Sequence, residues 1–420
     1  DGKFVARLRD GARITPETLE RVSAFLTSQG IEAPANPREL MRLLRVTPGR
    51  LPLETKAAPG QAAPSRHFRF FDNRQKYLLF VNTCSEKEVV AGRVGMELAH
   101  VHPTPPALRV FDADQVRARA PLPALVDCLE ASFRGRPYVP LRQVLTPPGG
   151  AGNRHFFIMP AFDEDGSAAV KLITYVPENR KKGLPTIQAA IVVFSAEGIP
   201  LALIDGTMVT RLRTAAASAL ASKYLSRADS RRLALAGTGA LAPWMAAAHA
   251  TVRPIERIDV WGRRPAGVQA TVEAIRPLVG PQVEITAAAS FEDAVRRADI
   301  VSCATSSTAP VLEGRWLMPG AFVDLVGSFT PDAREADDDA VRRARIFVDT
   351  FEGALAEAGD LIGPINRGVI GRERVEGELA DLVSGRVSGR LSAEEITLFK
   401  SVGTAIEDLA TAQLIMAADD

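Results

Sequence analysis

Apolar and polar positions along the chain change their rhythm three times. At the N-terminal end, ITPETLERVSAFLTSQG (14–30) spaces its apolar residues for a short helix, with Thr15 as cap and Gly30 as stop. PRELMRLLRVTPG (37–49) reads as a second helix, ended by Pro48-Gly49. A Pro/Ala linker follows, then KYLLFVNT as a buried strand and SEKEVVAGRVGMELAHV as a helix capped by Ser85. HVHPTPPA (100–107) breaks the pattern.

From ALRVFDADQV (107–116) the pattern is more regular. Residues 117–135 predict an amphipathic helix. HFFIMPAF, AAVKLITYV, TIQAAIVVF and PLALIDG predict strands of one antiparallel or mixed sheet. TRLRTAAASALASKYLS (210–226) is strongly helical. Beyond it the chain alternates: LALAG, helix, RIDVW, helix, VEITA, helix, DIVSCAT, loop, AFVDLVG, helix, RIFVD. That rhythm predicts a doubly wound parallel sheet, a Rossmann-type α/β fold. AEEITLFKSVGTAIEDLATAQLI (393–415) reads as one long helix, apolar on one side, packing back on the first sheet.

Composition narrows the picture. A chain of 420 residues predicts two or three domains at roughly 100–200 residues each. With 51 basic against 50 acidic side chains, nothing calls for nucleic acid or an anionic membrane as partner. There is no run of 18 apolar residues and no signal peptide, and a chain opening on Asp1 reads as lacking its natural start. Cys84, Cys128 and Cys303 fit no zinc spacing and read as free thiols of a reducing cytosol. His100 and His102 have no third ligand nearby, so a solvated loop is expected there and no metal site.

The chemistry concentrates in LALAGTGALAPWM. Gly237-Thr238-Gly239-Ala240-Leu241-Ala242 is G-x-G-x-x-A between a strand and a helix. The glycines allow a tight turn and let a pyrophosphate approach the backbone, and the helix N-terminus favours its charge. The next strand ends in Gly262-Arg263-Arg264 with no acid at its tip, which favours NADP(H) over NAD(H); a solvated basic turn is the plainer alternative. Asp259 lies too early in that strand to reach a ribose and reads as structural. In the preceding domain Arg142, Lys171 and Arg213 form a possible carboxylate clamp, Arg213 being read as a first-turn helical residue beside a bound anion.

These stretches resemble the ornithine cyclodeaminase/μ-crystallin family. The resemblance is carried by GLPTIQAAIVVFSAEGIPLALIDG, DGTMVTRLRTAAASALASKYL, SRRLALAGTGALA, ADIVSCATSSTAPVL, DLVGSFTPDARE, EAGDLI and ITLFKSVGTAIEDLATAQL, over about residues 107–420. It implies a homodimer of two-domain chains, an α+β substrate-binding and dimerisation domain (107–225, completed by about 388–420) and a Rossmann domain (226–387), while residues 1–106 fall outside it and read as an appended αβ module of unassigned role. It assigns Arg142, Lys171 and Arg213 to the substrate carboxylate or the nicotinamide, with Lys171 also able to tune the imine proton. Gly237, Thr238, Gly239, Ala240, Arg263, Arg264 and Thr305 match cofactor-contacting positions, and Leu241 stands where a Gln is common.

LVGSFTPDARE bears on the reaction. Cyclodeaminases carry an Asp where this chain has Phe329, and Phe can neither take a proton nor bond an ammonium. Asp332 and Glu335 read as structural residues opening the next helix. The motif resembles members that reduce Δ1-pyrroline-2-carboxylate and Δ1-piperideine-2-carboxylate to L-proline and L-pipecolate. NADPH is the expected cofactor, with NADH possible. An alanine dehydrogenase-like enzyme, an ornithine cyclodeaminase and a non-catalytic NADPH- and ligand-binding protein are the alternatives.

Overall fold

The computed structural model of the protein describes residues 108–135, 137–146 and 154–418, all within the unit Pro103–Asp420. The elements expected before residue 102, with Cys84, His100 and His102, lie outside the described residues.

The first sheet has six strands: β1 (Arg109–Phe111), β2 (Gln143–Leu145), β3 (His155–Phe162), β4 (Ala168–Tyr175), β5 (Ile187–Phe194) and β6 (Pro200–Asp205). Their order is β1-β6-β5-β4-β3-β2, with only β1 and β6 parallel. Alternation sets its two faces: Phe157, Met159 and Ala161 of β3 are buried while Phe156, Ile158 and Pro160 are less so. Helices α1 (Ala113–Arg119) and α2 (Leu122–Gly135) follow β1. The single helix expected over 117–135 is therefore two. Pro121 has no N–H with which to continue α1, and α2 starts after it.

Helix α3 (Gly206–Leu225) follows β6, its first turn capped by Asp205, which accepts from the Met208 amide at 2.7 Å. Its Ala- and Ser-rich surface is buried on almost every side. It packs on β5 on one side and on two strands of the second sheet on another.

The second sheet has eight parallel strands: β7 (Arg232–Ala236), β8 (Arg257–Trp261), β9 (Glu284–Ala287), β10 (Ile300–Cys303), β11 (Phe322–Leu325), β12 (Arg345–Val348), β13 (Val375–Glu378) and β14 (Thr397–Lys400). Their order is β13-β12-β14-β11-β10-β7-β8-β9. Helices α4 (Ala242–Val252), α5 (Pro265–Ile275), α6 (Phe291–Val295), α7 (Asp338–Arg343), α8 (Phe351–Glu357), α9 (Gly359–Asn366) and α10 (Leu379–Val383) connect them. The chain runs outward from β7 to β9 and then returns to β10 on the other side of β7. That reversal opens a crevice at the carboxyl ends of β7 and β10, the usual ligand site of such sheets.

The expected helix over 393–415 is corrected. Residues 397–400 are β14, inserted between β11 and β12, and only Ala405–Ala417 is helical (α11). Four residues, Thr-Leu-Phe-Lys, carry no period that separates strand from helix. The break is Gly403, at φ 86°, followed by Thr404 as the cap of α11. Helix α11 then packs on α2, β3 and β4, so the chain does return to the first sheet. Among the described residues no helix is long and apolar enough to cross a membrane, and Cys128 and Cys303 are free thiols.

Phe399, fully buried in β14, tests this placement. Phe399→Ala should cost about 3–5 kcal/mol in denaturant unfolding. A loss below about 1 kcal/mol would contradict a strand at the centre of the sheet.

Candidate active site

The glycine turn closes the buried strand β7. Gly237 has φ 132°, and its α-carbon is pressed against the Ala304 carbonyl beyond β10, leaving no space for a side chain. Gly239 differs: a β-carbon placed there would meet nothing within 4 Å, so its backbone faces open space. No side chain caps α4, but Ala242 and Trp244 donate to the Gly239 and Leu241 carbonyls and Pro243 has no N–H, so it is the amides of the turn Thr238–Leu241, ahead of the helix, that can meet an anion. Ala242 is fully buried, as close strand–helix packing requires. These features fit a bound dinucleotide pyrophosphate.

At the tip of β8, Gly262 lets the chain pass under Thr238, and Arg263 and Arg264 are exposed beside the turn. Asp259 stays in the strand, bonded by Arg257 Nε at 3.0 Å and the Thr286 hydroxyl, in agreement with a structural role. Across the crevice, Thr305 donates through its amide (2.6 Å) and hydroxyl (2.8 Å) to Glu335 Oε1, while the Gly327 amide donates to Oε2 at 2.6 Å. Glu335 thus pins the loops after β10 and β11. It does not open the next helix, because α7 starts at Asp338 with Asp337 as its cap. Burial pushes its carboxyl up to about 8, against the pull of Lys400.

A cavity of about 820 Å³ runs from this turn into the space between the two sheets. Gly237 to Leu241, Arg263, Arg264 and Thr305 line one end, and Arg142 and Arg213 the other. Arg142 forks onto Glu357 (Nε to Oε1 2.9 Å) and lies over the Phe157 ring at 5.5 Å. Burial and the neighbouring Arg213 pull its guanidinium down to about 10. Arg213 bonds Glu407 Oε2 through Nη1 at 2.5 Å, and its Nε lies 3.4 Å from Asp408 Oδ1. Burial works against its charge, but Glu407 and Asp408 outweigh it and hold the group above its ordinary value. Because α3 begins at Gly206, Arg213 sits two turns inside the helix, and the expected first-turn opposition to the dipole does not apply.

Lys171 stands one layer back. It is fully buried on β4, does not line the cavity, and gives its ammonium to Asp408 Oδ1 at 2.6 Å. Burial, helped by Arg213, pulls it down to about 8. The structure therefore brings Arg142 and Arg213 together at the cavity wall and ties Lys171 to them through an acid. The acids themselves, Glu357, Glu407 and Asp408, were missed in the sequence. Their signal was an adjacent Glu-Asp pair in an otherwise apolar helix, which can be buried only against cations.

Phe329 also lines the cavity, edge-on to Tyr175 with ring centroids 5.8 Å apart. Ile173 and Leu184 extend this apolar wall. Among the described residues no group of three or more His, Cys, Asp or Glu side chains could hold a metal.

Residues 111–418 match the model of the ornithine cyclodeaminase/mu-crystallin family. A Δ1-pyrroline-2-carboxylate reductase of Colwellia psychrerythraea is 39% identical over 314 residues, 74% of this chain and 98% of that protein. The structure of the Thermococcus litoralis Δ1-pyrroline-2-carboxylate reductase, in complex with NADH and L-proline, superposes with a TM-score of 0.71. It is 36% identical and covers 74% of this chain and 97% of its own. An archaeal alanine dehydrogenase dimer with bound NAD reaches 0.68 at 29% identity and 74% coverage of this chain and 95% of its own.

The Lys171–Asp408 pair gives a test of the cluster. Lys171→Met leaves buried Asp408 with only Arg213, 3.4 Å away and already held by Glu407, as counter-charge and should cost up to about 3–5 kcal/mol. Lys171→Met with Asp408→Asn should recover most of that in the same unfolding experiment. A single-variant loss below about 0.5 kcal/mol would mean that the ammonium reaches solvent.

Proposed function

The chain belongs to the ornithine cyclodeaminase/mu-crystallin family, and from that premise we propose that it is an NADPH-preferring reductase of cyclic ketimines, turning Δ1-pyrroline-2-carboxylate or Δ1-piperideine-2-carboxylate into L-proline or L-pipecolate. The observation that carries this reading is the single cavity joining the glycine turn to Arg142 and Arg213, with Phe329 in its wall.

Gly237, Thr238, Gly239 and Ala240 would cradle the pyrophosphate, Thr305 would border the nicotinamide, and Arg263 and Arg264 would pair with a 2′-phosphate. When bound, the nicotinamide supplies a hydride. Arg142 and Arg213 anchor the substrate carboxylate and so orient C2. Arg213 also stands close enough to the crevice to border the cofactor. Lys171 serves the clamp from behind, holding Asp408 against Arg213. Phe329 and Tyr175 pack on the ring carbons and exclude water. A protonated cyclic imine already accepts hydride, so no further acid is required beside it. Ornithine deamination, by contrast, needs a group that takes a proton from the amine, and Phe329 cannot.

A second copy of the chain is the proposed partner. The outward face of the first sheet carries Val110, Leu203, Val192, Val170 and Pro160 in one cross-strand row. Val110 is 63% exposed and Leu203 37%. A continuous apolar row on an open sheet face fits a homodimer interface.

NADPH oxidation assayed with each cyclic imino acid and with pyruvate plus ammonia, together with ammonia release from L-ornithine in the presence of NAD+, tests the reaction. Turnover is expected with the cyclic acids alone, and faster turnover of pyruvate plus ammonia would replace the proposal with an alanine dehydrogenase. Arg263→Ala with Arg264→Ala should raise KM for NADPH but not NADH, by about 10-fold or more, as loss of a charge-assisted contact of about 1.5–3 kcal/mol requires. Equal effects on both cofactors would remove the phosphate role. Val170→Lys with Val192→Lys should halve the mass measured by light scattering, and an unchanged mass would rule this face out as the interface.

A further inference from the structure

Acids outnumber cations behind the cavity wall. Arg142, Lys171 and Arg213 meet Glu357, Asp349, Glu407 and Asp408, and Lys400, which also faces Asp349, is shared with Asp360 and Glu335. A substrate carboxylate arriving at Arg213 adds another negative charge to a buried cluster that already has an excess. Such a cluster accommodates the newcomer most readily by taking up a proton.

The hydrogen bonds single out the acid that takes it. Asp349 accepts from the amides of Thr350 (2.8 Å), Val402 (2.8 Å) and Gly403 (2.6 Å), all of which favour its charged form. Glu357 is forked by Arg142 and is the most exposed of the four, with its side chain 21% accessible. Asp408 keeps the Lys171 ammonium at 2.6 Å whatever Arg213 does, although its Oδ2 is buried without a partner. Glu407 has one side-chain partner, Arg213, and its Oε1 is buried with no partner at all. The groups facing it are Arg213 from α3, Lys171 from β4, Asp349 from the turn after β12, its neighbour Asp408, and Arg142 beyond them.

We propose that Glu407 is a proton-linked positioning residue: it holds the Arg213 guanidinium until the substrate carboxylate takes that guanidinium over, and then accepts a proton from solvent on its bare oxygen. The proposal rests on the reading above only in taking a carboxylate as the ligand's head group. No covalent bond changes, and the proton taken up on binding is released when the product acid leaves. Burial already raises the Glu407 carboxyl to about 7 with Arg213 beside it, and losing Arg213 to a ligand raises it further. The sign follows. Below that value Glu407 is already protonated and binding takes up nothing. Above it, binding requires the proton, and affinity for the acid falls as pH rises, by up to about 10-fold per pH unit.

Calorimetric titration of the full chain, loaded with NADP+, tests this at about pH 8 with cyclopentanecarboxylate, which has no group titrating near that pH. Heats measured in buffers of low and high ionisation enthalpy report the protons exchanged. The wild type should take up close to one proton per ligand and bind up to about 10-fold more weakly for each pH unit above neutrality. Glu407→Gln, which keeps the side chain's size, should abolish the uptake and flatten the pH dependence. The wild-type heats stand independently of how either variant folds. No binding, no uptake by the wild type, or uptake that survives Glu407→Gln overturns the proposal. Proton-linked binding without NADPH-dependent reduction of the cyclic imino acids would instead leave Glu407 in this role and remove the reductase reading.

Discussion

Glu407 and Asp408 sit side by side on α11, both buried, and neither is tolerable there in its charged form unless it meets a cation. Arg213 from α3 and Lys171 from β4 supply the cations, from positions 194 and 237 residues away in sequence. Burying any one of these charges alone costs several kcal/mol, so the group is buried together or not at all. That requirement fixes the register of α11 against the first sheet. Since α11 starts only four residues after β14, it also fixes the first sheet against the second. The crevice between the sheets inherits its shape from this one ionic contact.

The chemistry is divided between the two sides of that crevice. The parallel sheet contributes backbone: a glycine turn open at Gly239, an uncapped helix end, and loops held by Glu335. The first sheet and its helices contribute charge through Arg142 and Arg213, and an apolar wall through Tyr175. Phe329, reaching across from the loop after β11 to meet Tyr175, completes that apolar wall. A site with fixed cations at one end, a dinucleotide turn at the other and carbon between suits an acid that needs only a hydride.

β3 to β6 were legible in the sequence because each is an apolar run of six or eight residues bounded by turn residues, whereas β1 and β2 have only three residues each. The glycine turn was legible because its neighbours were already recognisable as strand and helix. β14 was not, since Thr397–Lys400 is only four residues long, holds just two apolar side chains and is followed by a genuine helix. The cations of the site could be named but their partners could not. A lysine between Val170 and Leu172 shows that a charge is buried, whereas its acid lies 237 residues on, and only the fold brings Asp408 to it. The position of Lys171 behind the wall follows from that pairing, and no local pattern contains it.

The central claim is that hydride reaches C2 of a cyclic imino acid held by its carboxylate. Reduction of Δ1-pyrroline-2-carboxylate with NADPH carrying deuterium at the transferable nicotinamide C4 position, with the product examined by NMR and chiral chromatography, tests it most directly. Deuterium at C2 of L-proline, in one stereochemical course, is the result expected. Racemic proline, or L-proline without deuterium at C2, would contradict a carboxylate anchored by Arg142 and Arg213 facing the nucleotide turn.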